Sequence, residues 1–171
     1  RARARPRRIH NLLPHLAGIT HQVELKQFKG RTIAIDGYAW LHRGVYASAH
    51  DLGRGVESDK HIKFCMGRIA LLLECGVRPY LVFDGAPLPA KEREEEERAQ
   101  KRADARARGL QLLREGNGAA AEKHLTQSID VTPAMAATLI EVCRRRWGRA
   151  RLDWCVAPYE ADAQLAFLAR T

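Results

Sequence analysis

Two segments of the chain share one shape, an apolar run that breaks off on an Asp-Gly pair, the first of them rich in β-branched residues. The first is Thr32-Ile33-Ala34-Ile35-Asp36-Gly37; the second is Val77-Arg78-Pro79-Tyr80-Leu81-Val82-Phe83-Asp84-Gly85. Runs of this kind read as strands buried in a parallel sheet. Between them Tyr38–Ala49 reads as a helix and Gly53–Gly55 as a loop. Ile62, Cys65, Met66, Ile69, Leu72 and Leu73 then recur at helical spacing until Gly76 stops them. Strand, helix and strand in that order make a βαβ unit, which places the chain in the α/β class.

The remaining segments extend that unit. Before it lies a short amphipathic stretch from Ile9 to Ile19, interrupted by Pro14. After it, Lys91–Glu115 reads as one long charged helix with favourable four-residue pairs Glu94–Arg98, Glu97–Lys101 and Asp104–Arg108. Its first half has almost no large apolar residue, so charge pattern alone makes it a solvated helix or linker. Asn117–Ile129 and Pro133–Arg146 are two further helices, with Thr132 capping the second. Trp154–Ala157 is a short third strand, and Glu160–Leu168 an amphipathic helix with acids in its first turn.

At 171 residues the chain suits one ordinary domain. Leu, Ile, Val and Phe make up about 23% of it, above the roughly 20% below which charged chains stay unfolded. No apolar run approaches the length of a membrane span. The net charge of +9 is concentrated. Arg1, Arg3, Arg5, Arg7 and Arg8 form one acid-free cluster, Arg144, Arg145, Arg146, Arg149 and Arg151 another, and the body between is nearly neutral. Such clusters attract polyanions, nucleic acid foremost. The first is expected to be a disordered tail at 1–8, and it also has the Arg-rich, acid-poor character of a mitochondrial leader. Cys65, Cys75, Cys143 and Cys155 have no metal-binding spacing and read as small core residues of a reducing compartment.

The chemistry lies in the carboxylates. Strands that end in Asp36 and Asp84 bring both acids to the carboxyl edge of a parallel sheet, where α/β proteins bind ligands. Glu160 and Asp162 open a helix after a third strand and emerge at the same edge. Acids in these positions also cap turns and helix starts. Four converging there repel one another unless a cation lies between them, and oxygen ligands alone suit Mg²⁺ or Mn²⁺. Metal-assisted phosphodiester chemistry fits an Arg-rich chain. No glycine-rich phosphate loop of the nucleotide-binding kinds is present, and Asp36-Gly37-Tyr38 lacks the second acid of an aspartyl-phosphate former.

Three segments carry a family resemblance. They are Ala34-Ile35-Asp36-Gly37-Tyr38-Ala39-Trp40-Leu41-His42-Arg43-Gly44, Val82-Phe83-Asp84-Gly85, and Ala157-Pro158-Tyr159-Glu160-Ala161-Asp162-Ala163-Gln164-Leu165. Together they resemble the N-terminal nuclease region of the flap endonuclease / XPG family. The form around Trp40, with Lys63-Phe64-Cys65-Met66 and Leu112-Leu113-Arg114-Glu115-Gly116, is most similar to its exonuclease branch. The resemblance implies a PIN-like 5′-nuclease fold with a mostly parallel sheet, flanking helices and a protruding charged arch helix from about residue 91. It divides the chain into an N-terminal nuclease region at 9–115 and the start of an internal region at 116–171. It implies a nuclear, monomeric 5′ DNA nuclease acting on 5′ ends, flaps or nicks in repair, with two Mg²⁺ ions and further repair-protein partners. By position, Asp36, Asp84, Glu160 and Asp162 match metal carboxylates, and Lys91 and Arg98 match basic residues at the scissile phosphate. Tyr38 and His42 lie where the family stacks or wedges a nucleotide; ordinary packing at a helix start is the alternative. Lys101 and Arg102 continue the basic face toward phosphate, or else satisfy Glu97 and its neighbours. On this reading the charged helix is exposed because it orders around a 5′ strand.

The chain departs from the family in three ways. Arg8 and Asn11 stand where the family has glycines near its start. The segment from Arg144 to Trp154 is about four residues longer than the family spacing and adds phosphate contacts or a solvated loop. The family's further metal carboxylates and its helix–two-turn–helix follow the last residue here. A C-terminally truncated, weakly active fragment with an incomplete second metal site and an exposed sheet edge is therefore expected. The competing readings are a non-catalytic nucleic-acid-binding module and an aggregation-prone, inert product.

Overall fold

The computed structural model describes residues 12–170, so the Arg-rich start at 1–8 and the family-glycine positions Arg8 and Asn11 lie outside the described residues. Three strands form one sheet in the order β1 (Thr32–Asp36), β2 (Arg78–Phe83), β3 (Asp153–Val156), and both pairings are parallel. The register sets Asp36 opposite Val82 and Phe83 opposite Val156, so all three strands finish at one edge. The α/β class and the parallel sheet read from the two Asp-Gly runs are both present.

Side chains alternate across β2. Leu81 and Phe83 enter the main core, with Leu41 and Val45 of α2 (Gly37–Gly53) and Cys65, Ile69 and Leu72 of α3 (Lys60–Glu74). Leu139 and Cys143 of α6 (Pro133–Arg146) close that core. Tyr80 and Val82 point to the other face, where a smaller cluster forms with Ala161 and Leu165 of α8 (Ala161–Leu168). The sheet is thus sandwiched between α2, α3 and α6 on one side and α8 on the other. Gly76 ends the α3 segment at φ +74°, a left-handed conformation that costs glycine nothing.

The charged segment forms α4 (Glu92–Arg114), exposed along its first half and buried only at Gly109 and Leu112. It packs on α5 (Gly118–Gln127), where Leu125 is fully buried. An added Cβ at Gly53 would lie 2.7 Å from Leu125, and one at Gly109 would lie 2.9 Å from it. That fit accounts for one departure from expectation: α2 continues through Gly53 rather than ending near Ala49, because tertiary packing outweighs glycine's poor helix propensity.

Other departures are local. In the described part of the stretch ending at Ile19 lie the short α1 (Leu12–His15) and a 3₁₀ turn at Ala17–Ile19. The long segment before β3 holds a further turn of helix, α7 (Gly148–Arg151), between Trp147 and Leu152. Along α4 the pairs that form are Arg93–Glu97 at 3.4 Å and Arg98–Glu95, with Asp104 accepting from Gln100. The expected Glu94–Arg98, Glu97–Lys101 and Asp104–Arg108 pairs do not form; exposed pairs are worth only a few tenths of a kcal/mol, so neighbouring choices are nearly degenerate.

Candidate active site at the carboxyl edge of the sheet

Each strand end delivers its acid through a specific backbone crossing. Asp36 leaves β1 and caps α2, its Oδ1 accepting the Ala39 N–H at 2.9 Å. Gly37 follows because the Phe83 ring occupies the space beside it; a Cβ there would sit 2.3 Å from the ring. Asp84 leaves β2 and reaches across to α8, its Oδ1 accepting the Ala161 N–H at 2.6 Å. Gly85 follows because the Ala157 carbonyl crosses directly over it, 1.9 Å from where a Cβ would be. Gly85 N–H donates to the Tyr159 carbonyl at 2.6 Å and Ala86 N–H to the Pro158 carbonyl at 3.0 Å. These bonds tie the end of β2 to the Ala157–Glu160 turn. Both Asp-Gly pairs are therefore one acid plus one place where nothing larger than hydrogen fits.

Glu160 is the N-cap of α8, and its carboxylate is ion-paired with Lys91 at the foot of α4. Asp162 lies in the first turn of α8. Burial pushes the Asp36 carboxyl above its ordinary value; hydrogen bonds from Ala39 and Tyr38 oppose this, and the charges of Asp84 and Asp162 reinforce it. Three of the four acids thus share one electrostatic environment. In kind they suit a hard divalent cation, being all carboxylate oxygen with no thiolate among them. They are not drawn into a cage: among the described residues no three His, Cys, Asp or Glu side chains are grouped closely enough to hold an ion. Glu160 is engaged by Lys91, and Asp36 and Asp84 by helix N–H groups.

A cleft of about 600 Å³ opens over this edge. It is lined by Tyr38 and His42 of α2, by Asp84 and Glu160, and by Lys91, Arg98 and Arg102 of the charged helix and its foot. Seven of the ten residues singled out in the sequence meet there. Asp36, Asp162 and Lys101 do not line it.

Tyr38 has a packing role too, since its ring meets Phe83 edge-on at 6.0 Å. Burial and the nearby Asp84 and Asp130 charges push its hydroxyl pKa up. His42 is exposed on the cleft. Arg102 pairs at 3.2 Å with Asp130 rather than with Glu97, which takes Arg93. Arg98 pairs with Glu95. The cleft-lining acids Asp130 and Glu95 were not legible in the sequence. Asp130 sits in the α5–α6 connection with no motif around it, and Glu95 is one of five glutamates at Glu92 and Glu94–Glu97.

Residues 8–105 match the XPG N-terminal domain. The chain is 42% identical to exonuclease 1 of Arabidopsis thaliana over 95% of its own length and 22% of the relative's. It is 42% identical to exonuclease 1 of Xenopus laevis over 94% of its length and 21% of the relative's. For exodeoxyribonuclease 1 of Schizosaccharomyces pombe the identity is 39%, covering 94% and 27%. The chain thus spans about a quarter or less of these curated relatives. Its fold superposes on the catalytic core of Rad2 in complex with DNA substrate with a TM-score of 0.60 at 22% identity, over 95% of this chain and 40% of that one. From the matched residues, and from the two Asp-Gly crossings that shape the cleft, the chain belongs to the XPG N-terminal domain family.

Proposed function

We propose that this chain forms the amino-terminal part of the centre of a structure-specific 5′ DNA nuclease, a 5′-to-3′ exonuclease or flap endonuclease that hydrolyses phosphodiester bonds in DNA repair. The observation that carries the reading is the single cleft shared by the strand-end carboxylates and the cations of the charged helix. Asp36, Asp84, Glu160 and Asp162 are the residues that would hold Mg²⁺ or Mn²⁺, with a second site incomplete in these residues. When bound, such ions would activate water and neutralise charge on the leaving oxygen.

The protein's own groups have separable tasks. Lys91 and Arg98 present cations to a phosphoryl group whose charge grows in the transition state. Tyr38, fixed against Phe83, and His42, exposed beside it, offer flat surfaces to a nucleotide. Arg102 and Lys101 extend the basic face along the arch, Arg102 held in place by Asp130. Hydrogen bonds from Gly85, Ala86 and Ala161 N–H groups cross-tie the end of β2 to the turn before α8 beneath the site. By resemblance, the complete enzyme acts as a monomer in the nucleus with repair-protein partners.

One observation favours the non-catalytic reading, namely that Lys91 occupies the Glu160 carboxylate. Incubating the chain with 5′-flap, 5′-recessed and end-blocked duplexes in Mg²⁺ separates the two. A nuclease releases products only where a 5′ end is accessible. A binding module retains all three substrates uncut.

A further inference from the structure

The opposite edge of the sheet, where the strands begin, carries a denser positive charge than the cleft itself. Arg31 immediately precedes β1 and Arg78 opens β2, their backbones joined by a 2.9 Å hydrogen bond. Arg144, Arg145 and Arg146 end α6, and Arg149 and Arg151 lie in α7, just before β3. All seven side chains are exposed. Among the described residues, two carboxylates pair with them. Glu141 takes Arg144 and Arg145, and Asp153 takes Arg78 at 2.7 Å and Arg149 at 3.2 Å. Glu74 ends α3 and the Lys29 side chain lies beside Gly76, so this edge carries one further charge of each sign. In the cleft, by contrast, Lys91, Arg98 and Arg102 are each matched by an acid.

The surplus is also ordered. Arg149 lies over the Trp154 ring at 4.3 Å and Arg146 over the Trp147 ring at 5.3 Å. Arg78 donates to the Arg149 carbonyl at 3.0 Å, tying β2 to α7. Gly148, at φ +64°, makes the turn that sets α7 beside the end of α6. Guanidinium groups stacked on indoles lose less freedom when they meet phosphate, and their donor edges stay available. The indoles themselves pack on the main core, so the surface offers charge and donors rather than free rings for base stacking.

Resting on the nuclease reading above, we propose that this edge is a second nucleic-acid surface that grips duplex phosphates without regard to sequence. The α6 helix links it to the cleft: Pro133 lines the cleft and Arg146 belongs to the arginine edge. Fourteen residues of helix rise about 20 Å, equivalent to about six base pairs of duplex. A substrate with a long duplex flank therefore reaches both surfaces, whereas one with a very short duplex engages the cleft alone. Phosphate neutralisation also predicts a strong salt dependence.

The test measures binding of the whole chain, without metal, to 5′-flap DNA with a duplex of about 20 base pairs or about five, the lengths being set by that helix rise. The variant is Arg145→Gln/Arg146→Gln/Arg151→Gln, and the Lys counterpart at the same positions keeps the charge. The Gln variant is expected to lose at least about tenfold affinity for the long duplex near 0.1 M salt, and its log K against log salt slope falls by about 2–3. Its affinity for the short duplex stays within about twofold, because the cleft is untouched, and the Lys variant retains most long-duplex affinity. Equal affinity and slope for wild type and the Gln variant on the long duplex would overturn the second surface while leaving the nuclease reading standing. Loss on both duplexes alike would also overturn it, as would selective capture of an acidic peptide with no DNA dependence. Absence of DNA binding by the wild type would remove both readings together.

Discussion

Replacing Gly85 with Ala perturbs the fold and the site through one atom. The added methyl would begin 1.9 Å from the Ala157 carbonyl oxygen and 2.9 Å from that of Pro158, and both obstacles are backbone. Reaching ordinary contact requires the end of β2 and the Ala157–Glu160 turn to part by about 1.5 Å. That stretch breaks the 2.6 Å bond from Gly85 to Tyr159 and the 3.0 Å bond from Ala86 to Pro158. Overpacking costs about 1–3 kcal/mol and each lost hydrogen bond about 1 kcal/mol, part of which overlaps, giving a net destabilisation of about 2–4 kcal/mol. For a chain of this size Tm should fall by about 5–15 °C. Circular dichroism melts read this directly. Gly67→Ala, on an open stretch of α3 with nothing within 4 Å, is the control and should hold or raise Tm by up to about 1 kcal/mol equivalent. A Gly85→Ala protein melting within about 2 °C of wild type would refute the crossing geometry as the reason for the glycine.

Other expectations follow from single contacts. Lys91→Ala or Arg98→Ala should slow cleavage at least about 100-fold with little change in Tm, because each side chain is substantially exposed yet faces the cleft; cleavage slowed less than fivefold would remove both from the chemistry. For Asp36 the folded state holds its proton more tightly than the unfolded chain does, so the contribution of this one group to stability is fully present in acid and is lost as pH rises through the raised folded value. Asp36→Asn, which can still cap α2, should therefore raise Tm at pH 7 in chelator and leave it unchanged near pH 3, while abolishing cleavage. Burial pushes the Cys65 and Cys143 thiols up to about 12, whereas Cys75 and Cys155 are partly accessible. Mass-resolved alkylation at pH 8 should label the latter pair first, and early labelling of Cys65 would indicate that α3 opens from the core.

The strand ends were legible because an acid followed by glycine after an apolar run combines three independent constraints: burial, termination and a need for space. Thr132-Pro133 marked the start of α6 for the same kind of reason, a side-chain cap joined to a fixed φ, and Thr132 does accept the Met135 N–H at 3.3 Å. Signals failed where partners come from elsewhere in the chain. The length of α2 depends on Leu125, far along the sequence, and the engagement of Arg102 depends on Asp130, which no local pattern distinguishes. Pairings along α4 depart from the favoured four-residue pattern because their energies hardly differ. Motif positions point to most of the residues that meet in the cleft, and the cluster from Arg144 to Arg151 is visible in the sequence, but its extension by Arg31 and Arg78 appears only once the sheet sets them beside Arg149.

The most direct measurement compares the wild-type chain with Asp84→Ala on a 5′-flap duplex in Mg²⁺, with enzyme in excess of DNA so that slow turnover registers. Asp84 is the acid that both lines the cleft and ties β2 to α8. The expected result is slow hydrolysis at the 5′ end, stopped by chelation and lost in the variant at equal DNA affinity. Hydrolysis that persists in Asp84→Ala or in chelator, or none by a folded wild-type chain that binds the flap, would contradict the assignment of this carboxylate edge as the nuclease centre.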